Sequence, residues 1–160
     1  VEEVEAVVGT GLPRTNDIEA LSRTRNVVRE TLRLYPPAWT VNREATETIE
    51  LGGCEVPEGT QVMLPQWVIH RDERYWGTPE TFDPSRWEGE PDRPEYAYFP
   101  FGGGPRHCIG MRFARLELAL ALATMVGRVD LDVSLGGPLT FAPSISLRPE
   151  TDVEATVRRL

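Results

Sequence analysis

Lysine is absent from this 160-residue sequence: all 17 basic residues are arginine, and 25 acids outnumber them, for a formal charge of −8 at pH 7. That balance argues against nucleic-acid or anionic-membrane partners, which are held by basic surfaces. Cysteine is nearly absent too, with only Cys54 and Cys108. Two thiols build no disulfide framework, so a reduced, cytoplasmic setting is the expectation. No positively charged start leads into an apolar core and a cleavage site, so no signal peptide is visible. Long apolar runs are missing as well: the stretch from Leu118 to Val126 is interrupted by Thr124, and a membrane span needs about 20 apolar residues. The chain opens at Val1 inside an amphipathic helical pattern, VEEVEAVV. We therefore expect it to be incomplete at the N-terminus, with any membrane anchor left open.

The length suits one unit, and 14 glycines with 14 prolines imply much ordered loop. A breaker cluster at Gly9 to Pro13 ends the first helix, and Asn16 with Glu19 resembles a capping arrangement opening a second. Apolar residues then recur at helical spacing up to Leu34, where Pro36-Pro37 stops them. Thr46 to Leu51 and Gln61 to Leu64 read as strands, with turns at Gly52-Gly53 and Pro57-Glu58-Gly59. Prolines at 65, 79, 84, 91, 94 and 100 make Pro65 to Pro100 a meandering, aromatic-rich loop. Aromatics interleaved with arginine suggest stacking on single-stranded nucleic acid, but Arg71 to Glu95 holds four arginines against eight acids (Asp72, Glu73, Glu80, Asp83, Glu88, Glu90, Asp92, Glu95), which opposes it. A strongly helical run, MRFARLELALALATMV, follows the next loop, and the tail alternates like short strands.

That loop, Gly102 to Gly110, is the chemically suggestive segment. It fails as a dinucleotide fingerprint, since His107 stands where the third glycine belongs, and as a P-loop, since Gly-Lys-Ser/Thr is missing. What it offers is Cys108 at the mouth of a helix with Arg106 nearby, a setting that favours thiolate. A buried, inert cysteine beside a helix cap is the plainer alternative. Zinc is disfavoured: Cys54, Cys108, His70 and His107 lack the paired spacing of zinc sites, and adjacent His107 and Cys108 strain to reach one ion. Cys54 lies in the β-turn region and reads as structural. Glu30 and Arg33, at i and i+3, lie off the apolar stripe, so periodicity alone makes them a solvated pair.

Three segments alter that weighing. Glu30-Thr31-Leu32-Arg33, then Phe82-Asp83-Pro84-Ser85-Arg86-Trp87, then Phe101-x-x-Gly104-x-Arg106-x-Cys108-x-Gly110 resemble the three signatures of the cytochrome P450 family, in order and at family-like spacing. The resemblance implies a mainly α fold with small β-sheets (α+β), loop-rich, with residues 1–160 forming the C-terminal, haem-binding portion of a single domain. It implies a structural triad of Glu30, Arg33 and Arg86, buried beneath the haem loop. It makes Cys108 the catalytic, proximal ligand to the iron of haem b, a thiolate that favours O–O cleavage. Phe101 would pack beside the sulfur, and Gly104 and Gly110 would let the loop pass close under the ring. Arg106 and Arg43 match positions that pair with haem propionates. Ala38, Trp39, Val41 and Ile145 match stretches lining the substrate pocket; ordinary packing is their alternative.

The implied activity is a haem-thiolate monooxygenase acting on a small apolar organic substrate with O₂, with electrons from a ferredoxin, flavodoxin or reductase docking near Arg112 and Arg115. A truncated, non-catalytic relic and a peroxide-using or isomerising relative are the alternatives. The long distal helix that guides protons to O₂ has no counterpart in this sequence, so the isolated chain is expected to hold haem weakly.

Overall fold

The computed structural model describes residues 1–89 and 92–160; Glu90 and Pro91, counted above in the proline-rich segment, lie outside the described residues. Among the described residues, four helices and four two-stranded antiparallel sheets make up a mixed α and β fold, and the helices do not dominate it as the sequence leads us to expect. Helix α1 spans Glu2–Val8, α2 Ser22–Leu34, α3 Gln66–Ile69 and α4 Met111–Val126.

Helix α2 starts later than the Asn16–Glu19 pattern implied. Thr15–Asp17 is only a 3₁₀ turn, closed by the Arg14 amide donating to Asp17 Oδ2 at 2.7 Å. The true start of α2 is capped from a distance: Glu3 on α1 accepts from the amides of Arg23 (2.7 Å) and Thr24 (2.9 Å) and from the hydroxyls of Ser22 and Thr24. Its carboxylate thus satisfies amides that have no partner within the helix. Burial raises the Glu3 pKa, but these hydrogen bonds outweigh it and hold the group below the usual range. Val4, Leu21 and Ala123 then form a small core that joins α1, the start of α2 and the end of α4.

Strand β1, Val41–Glu44, pairs with β4, Gln61–Leu64, in register Val41 to Leu64. Within that loop sits a hairpin of β2, Ile49–Leu51, and β3, Cys54–Val56. Its turn uses Gly52 and Gly53 at φ 60° and 80°, which only glycine adopts freely. The expected Thr46–Leu51 strand is shorter because Ala45 still bonds across to Thr60 and Gly59, so the chain must turn before it enters the hairpin. After α4, β5 (Val129–Leu135) pairs with β8 (Val153–Arg159), and β6 (Phe141–Pro143) with β7 (Leu147–Pro149). Between α3 and α4 the chain meanders through 3₁₀ turns at Pro84–Trp87, Glu95–Ala97 and Gly104–Arg106. Aromatic residues rather than regular pairing hold it: Trp87 lies 4.6 Å from Tyr98 and 5.5 Å from Trp76, centroid to centroid.

Candidate functional site

The meander is anchored to α2 by charge. Glu30 and Arg33 are both fully buried, and Arg33 donates through Nε and Nη2 to the two Glu30 oxygens at 3.0 and 2.8 Å. Arg86 closes the group, its Nε 2.9 Å from Glu30 Oε1. Two donors escaped the sequence reading: the Trp87 indole N–H reaches Glu30 Oε2 at 2.9 Å, and the Asp83 amide reaches Oε1 at 3.0 Å. Arg33 spends its remaining N–H groups on the carbonyls of His70, Pro79 and Thr81. Every polar atom of the pair is therefore matched, the condition under which a buried ion pair is tolerable. Burial would raise the Glu30 pKa, but hydrogen bonds from Arg33, Asp83 and Trp87 hold the carboxyl below its ordinary range.

His70 links this cluster to the loop that follows. Its Nε2 accepts from the Phe99 amide at 2.9 Å, so the proton sits on Nδ1, which faces the Arg33 carbonyl at 3.2 Å. Burial pushes the imidazole down to about 4, with Arg33 and Arg71 adding to the effect against the bond to the Arg33 carbonyl. Gln66 Nε2 donates to the Phe99 carbonyl at 2.7 Å. Three residues before the cysteine loop, both polar groups of the Phe99 backbone are thus held by side chains of α3 and its C-cap.

From Phe99 the chain turns back on itself. The Gly102 amide donates to the Phe99 carbonyl and the Cys108 amide to the Phe101 carbonyl, each at 2.8 Å. Gly102 and Gly104 take φ 72° and 64°. Gly103 is extended, yet a Cβ there would collide with the Tyr96 ring. Cys108 emerges exposed, unlike the buried thiol that was its plainer alternative, and Gly110 after it is the N-cap of α4. Ile109 between them is fully exposed.

The loop separates two concavities that share Val41 and Gly102. One, about 420 Å³, is lined by Ala38, Val41, Phe101, Arg106, Cys108 and Leu118 among others; its neighbour, about 350 Å³, includes Arg43, Tyr96 and Gly104. The structure thus brings Cys108, Phe101, Arg106, Ala38 and Val41 to one cavity and places Arg43 and Gly104 on the next. It does not bring Trp39 or Ile145 to the cysteine: Trp39 Nε1 donates to the Ser144 carbonyl at 2.8 Å, and Ile145 protrudes fully exposed on the turn between β6 and β7. His107 Nδ1 contacts the Gly104 carbonyl at 3.0 Å, and Cys54 is exposed on its hairpin. An exposed thiol flanked by apolar walls, with guanidinium groups at the rim, is a donor set suited to a flat apolar macrocycle carrying iron and carboxylates.

The cytochrome P450 family model matches residues 1–153. The chain belongs to the cytochrome P450 family. It is 42% identical to cyclooctatin synthase of Streptomyces melanosporofaciens, over 91% of this chain and 32% of that protein. It is 36% identical to putative cytochrome P450 132 of Mycobacterium tuberculosis, over 98% of the chain and 34% of that protein. Lithocholate 6-beta-hydroxylase of Mesocricetus auratus is also 36% identical, over 95% and 31%. The chain thus spans about a third of the length of these relatives. Cytochrome P450 proteins bind haem b and are oxidoreductases. Among the described residues, no helix is long and apolar enough to cross a membrane.

Proposed function

We propose that residues 1–160 form the C-terminal, haem-ligating portion of a P450 monooxygenase domain, with Cys108 as the proximal ligand. The exposed Cys108 thiol at the base of an apolar cavity carries this reading. Bound there, haem supplies reductive activation of O₂, with one oxygen atom inserted into an apolar substrate and the other released as water. Cys108 Sγ would ligate the iron, and Phe101, on the same cavity, would pack beside the sulfur. Arg106 and Arg43, on adjoining concavities, would pair with its propionates. Glu30, Arg33 and Arg86 hold the meander beneath the loop as a structural triad and take no part in the chemistry. Ala38 and Val41 supply the near wall for substrate; Trp39, bonded to the Ser144 carbonyl of the β6–β7 turn that carries Ile145, belongs with Ile145 to its outer part. Electrons arrive from a ferredoxin, flavodoxin or reductase docking near Arg112 and Arg115 of α4, which offer positive charge beside the groove toward α2.

The test is the spectrum of the haem-loaded protein, reduced under carbon monoxide. A red-shifted Soret band of thiolate-ligated iron is expected, and the unshifted band of a nitrogen-ligated haem would overturn the reading. The isolated 160 residues are expected to hold haem weakly and to release it to a competing acceptor protein.

A further inference from the structure

Two like-charged pairs face one another across α2 and α4. Arg25 and Arg29 stand four apart on α2, Arg112 and Arg115 three apart on α4, and all four line one groove of about 490 Å³. Such spacing between like charges opposes helix formation, so the arrangement works against its own helices. None of the four makes a side-chain hydrogen bond or ion pair among the described residues, and Arg115 Nε is buried there without a partner. Glu19 is the only acid lining the groove among them. The guanidinium groups are braced rather than loose: Arg29 lies 5.8 Å over the Trp87 ring and Arg115 lies 5.4 Å over Phe101. Aromatic faces of this kind hold a guanidinium in place while leaving its N–H edge free. Burial lowers the Arg29 pKa, and the neighbouring charges of Arg25 and Arg115 lower it further, as expected where positive charges crowd without an anion.

We propose that the groove between α2 and α4 is a binding site for a small multivalent oxyanion of the phosphate class, clasped by Arg25, Arg29, Arg112 and Arg115. Forked guanidinium donors match tetrahedral oxyanions, and a ligand with two or more charges quenches the repulsion within both helices at once. The apolar floor formed by Val28, Leu32 and Leu116 strengthens each charge contact by excluding water. The inference does not rest on the haem reading. Arg112 and Arg115 also belong to the donor-docking face proposed above, but a titration without donor separates the two occupants.

Pyrophosphate titrated into the haem-loaded protein by calorimetry, with sodium chloride at matched ionic strength as control, tests the site. Saturable one-to-one binding is expected, together with a rise in melting temperature that chloride does not reproduce. Arg29→Gln combined with Arg115→Gln should weaken binding by at least about tenfold. Arg112 is exposed and unbonded, so Arg112→Gln keeps the fold and should also weaken binding. Arg148→Gln, far along the chain on β7, should leave binding unchanged. Absence of saturable pyrophosphate binding, or binding that survives all three groove substitutions, would overturn the proposal.

Discussion

Acidification from pH 7 to pH 5 should destabilise this fold through one residue, His70. Its ring is fully buried, and its pKa is pushed down to about 4, against about 6.5 in an unfolded chain. The unfolded state therefore takes up the proton first. The neutral ring's contribution is intact above about pH 6.5, declines as the pH drops below that, and is fully lost beneath about pH 4. Between pH 7 and pH 5 the linkage amounts to about 2 kcal/mol. Carboxylates contribute little in that window, because unfolded Asp and Glu titrate near 4. A proton on Nε2 would also leave the Phe99 amide facing another donor, releasing the start of the cysteine loop. Urea unfolding at pH 7, 6 and 5 on the protein and on His70→Gln reads this directly, since a glutamine holds no titrating proton. The parent should lose about 2 kcal/mol over the range while the variant stays nearly flat. Equal pH slopes in the two proteins would refute the reasoning.

Arg33→Ala leaves Glu30 charged and buried and strips three carbonyls of their donor, so it should cost about 3–5 kcal/mol in urea unfolding. Gly103→Ala forces a methyl group into the Tyr96 ring and should cost about 1–3 kcal/mol; Tyr96→Ala in the same chain should restore most of it, as a double-mutant cycle would show. Arg112→Glu with Arg115→Glu should slow reduction by an acidic donor in stopped flow, with a weaker dependence on salt than the parent shows.

Helices α1 and α4 are legible in the sequence because each carries its own periodicity and glycine or proline punctuation. The strand β4 is legible for the same reason. Helix α2 is only partly so, since its cap lies on Glu3, about twenty residues upstream, beyond the reach of any local capping pattern. Strand β1 escapes because its four residues overlap the stretch assigned to the pocket wall and acquire strand character only by pairing with β4. Glu30 and Arg33 show the same limit more sharply: helical phase places them toward solvent, yet the groups that bury them arrive from Pro79 to Trp87, some fifty residues later. His70 and Gln66 carry no motif, and only the folded chain shows that they grip Phe99. For the candidate site, the Phe101–Gly110 pattern was the legible part. The meeting of Ala38 and Val41 with the cysteine cavity is foreseen through the family resemblance alone, because it depends on long-range packing that no spacing encodes.

X-ray absorption at the iron edge of the haem-loaded protein tests the central assignment most directly, because it reports the element bonded to the metal. One sulfur scatterer in the first shell is predicted for the parent chain, and its disappearance in Cys108→Ser. A first shell of nitrogen and oxygen alone in the parent, or a sulfur signal that persists after the substitution, would contradict it.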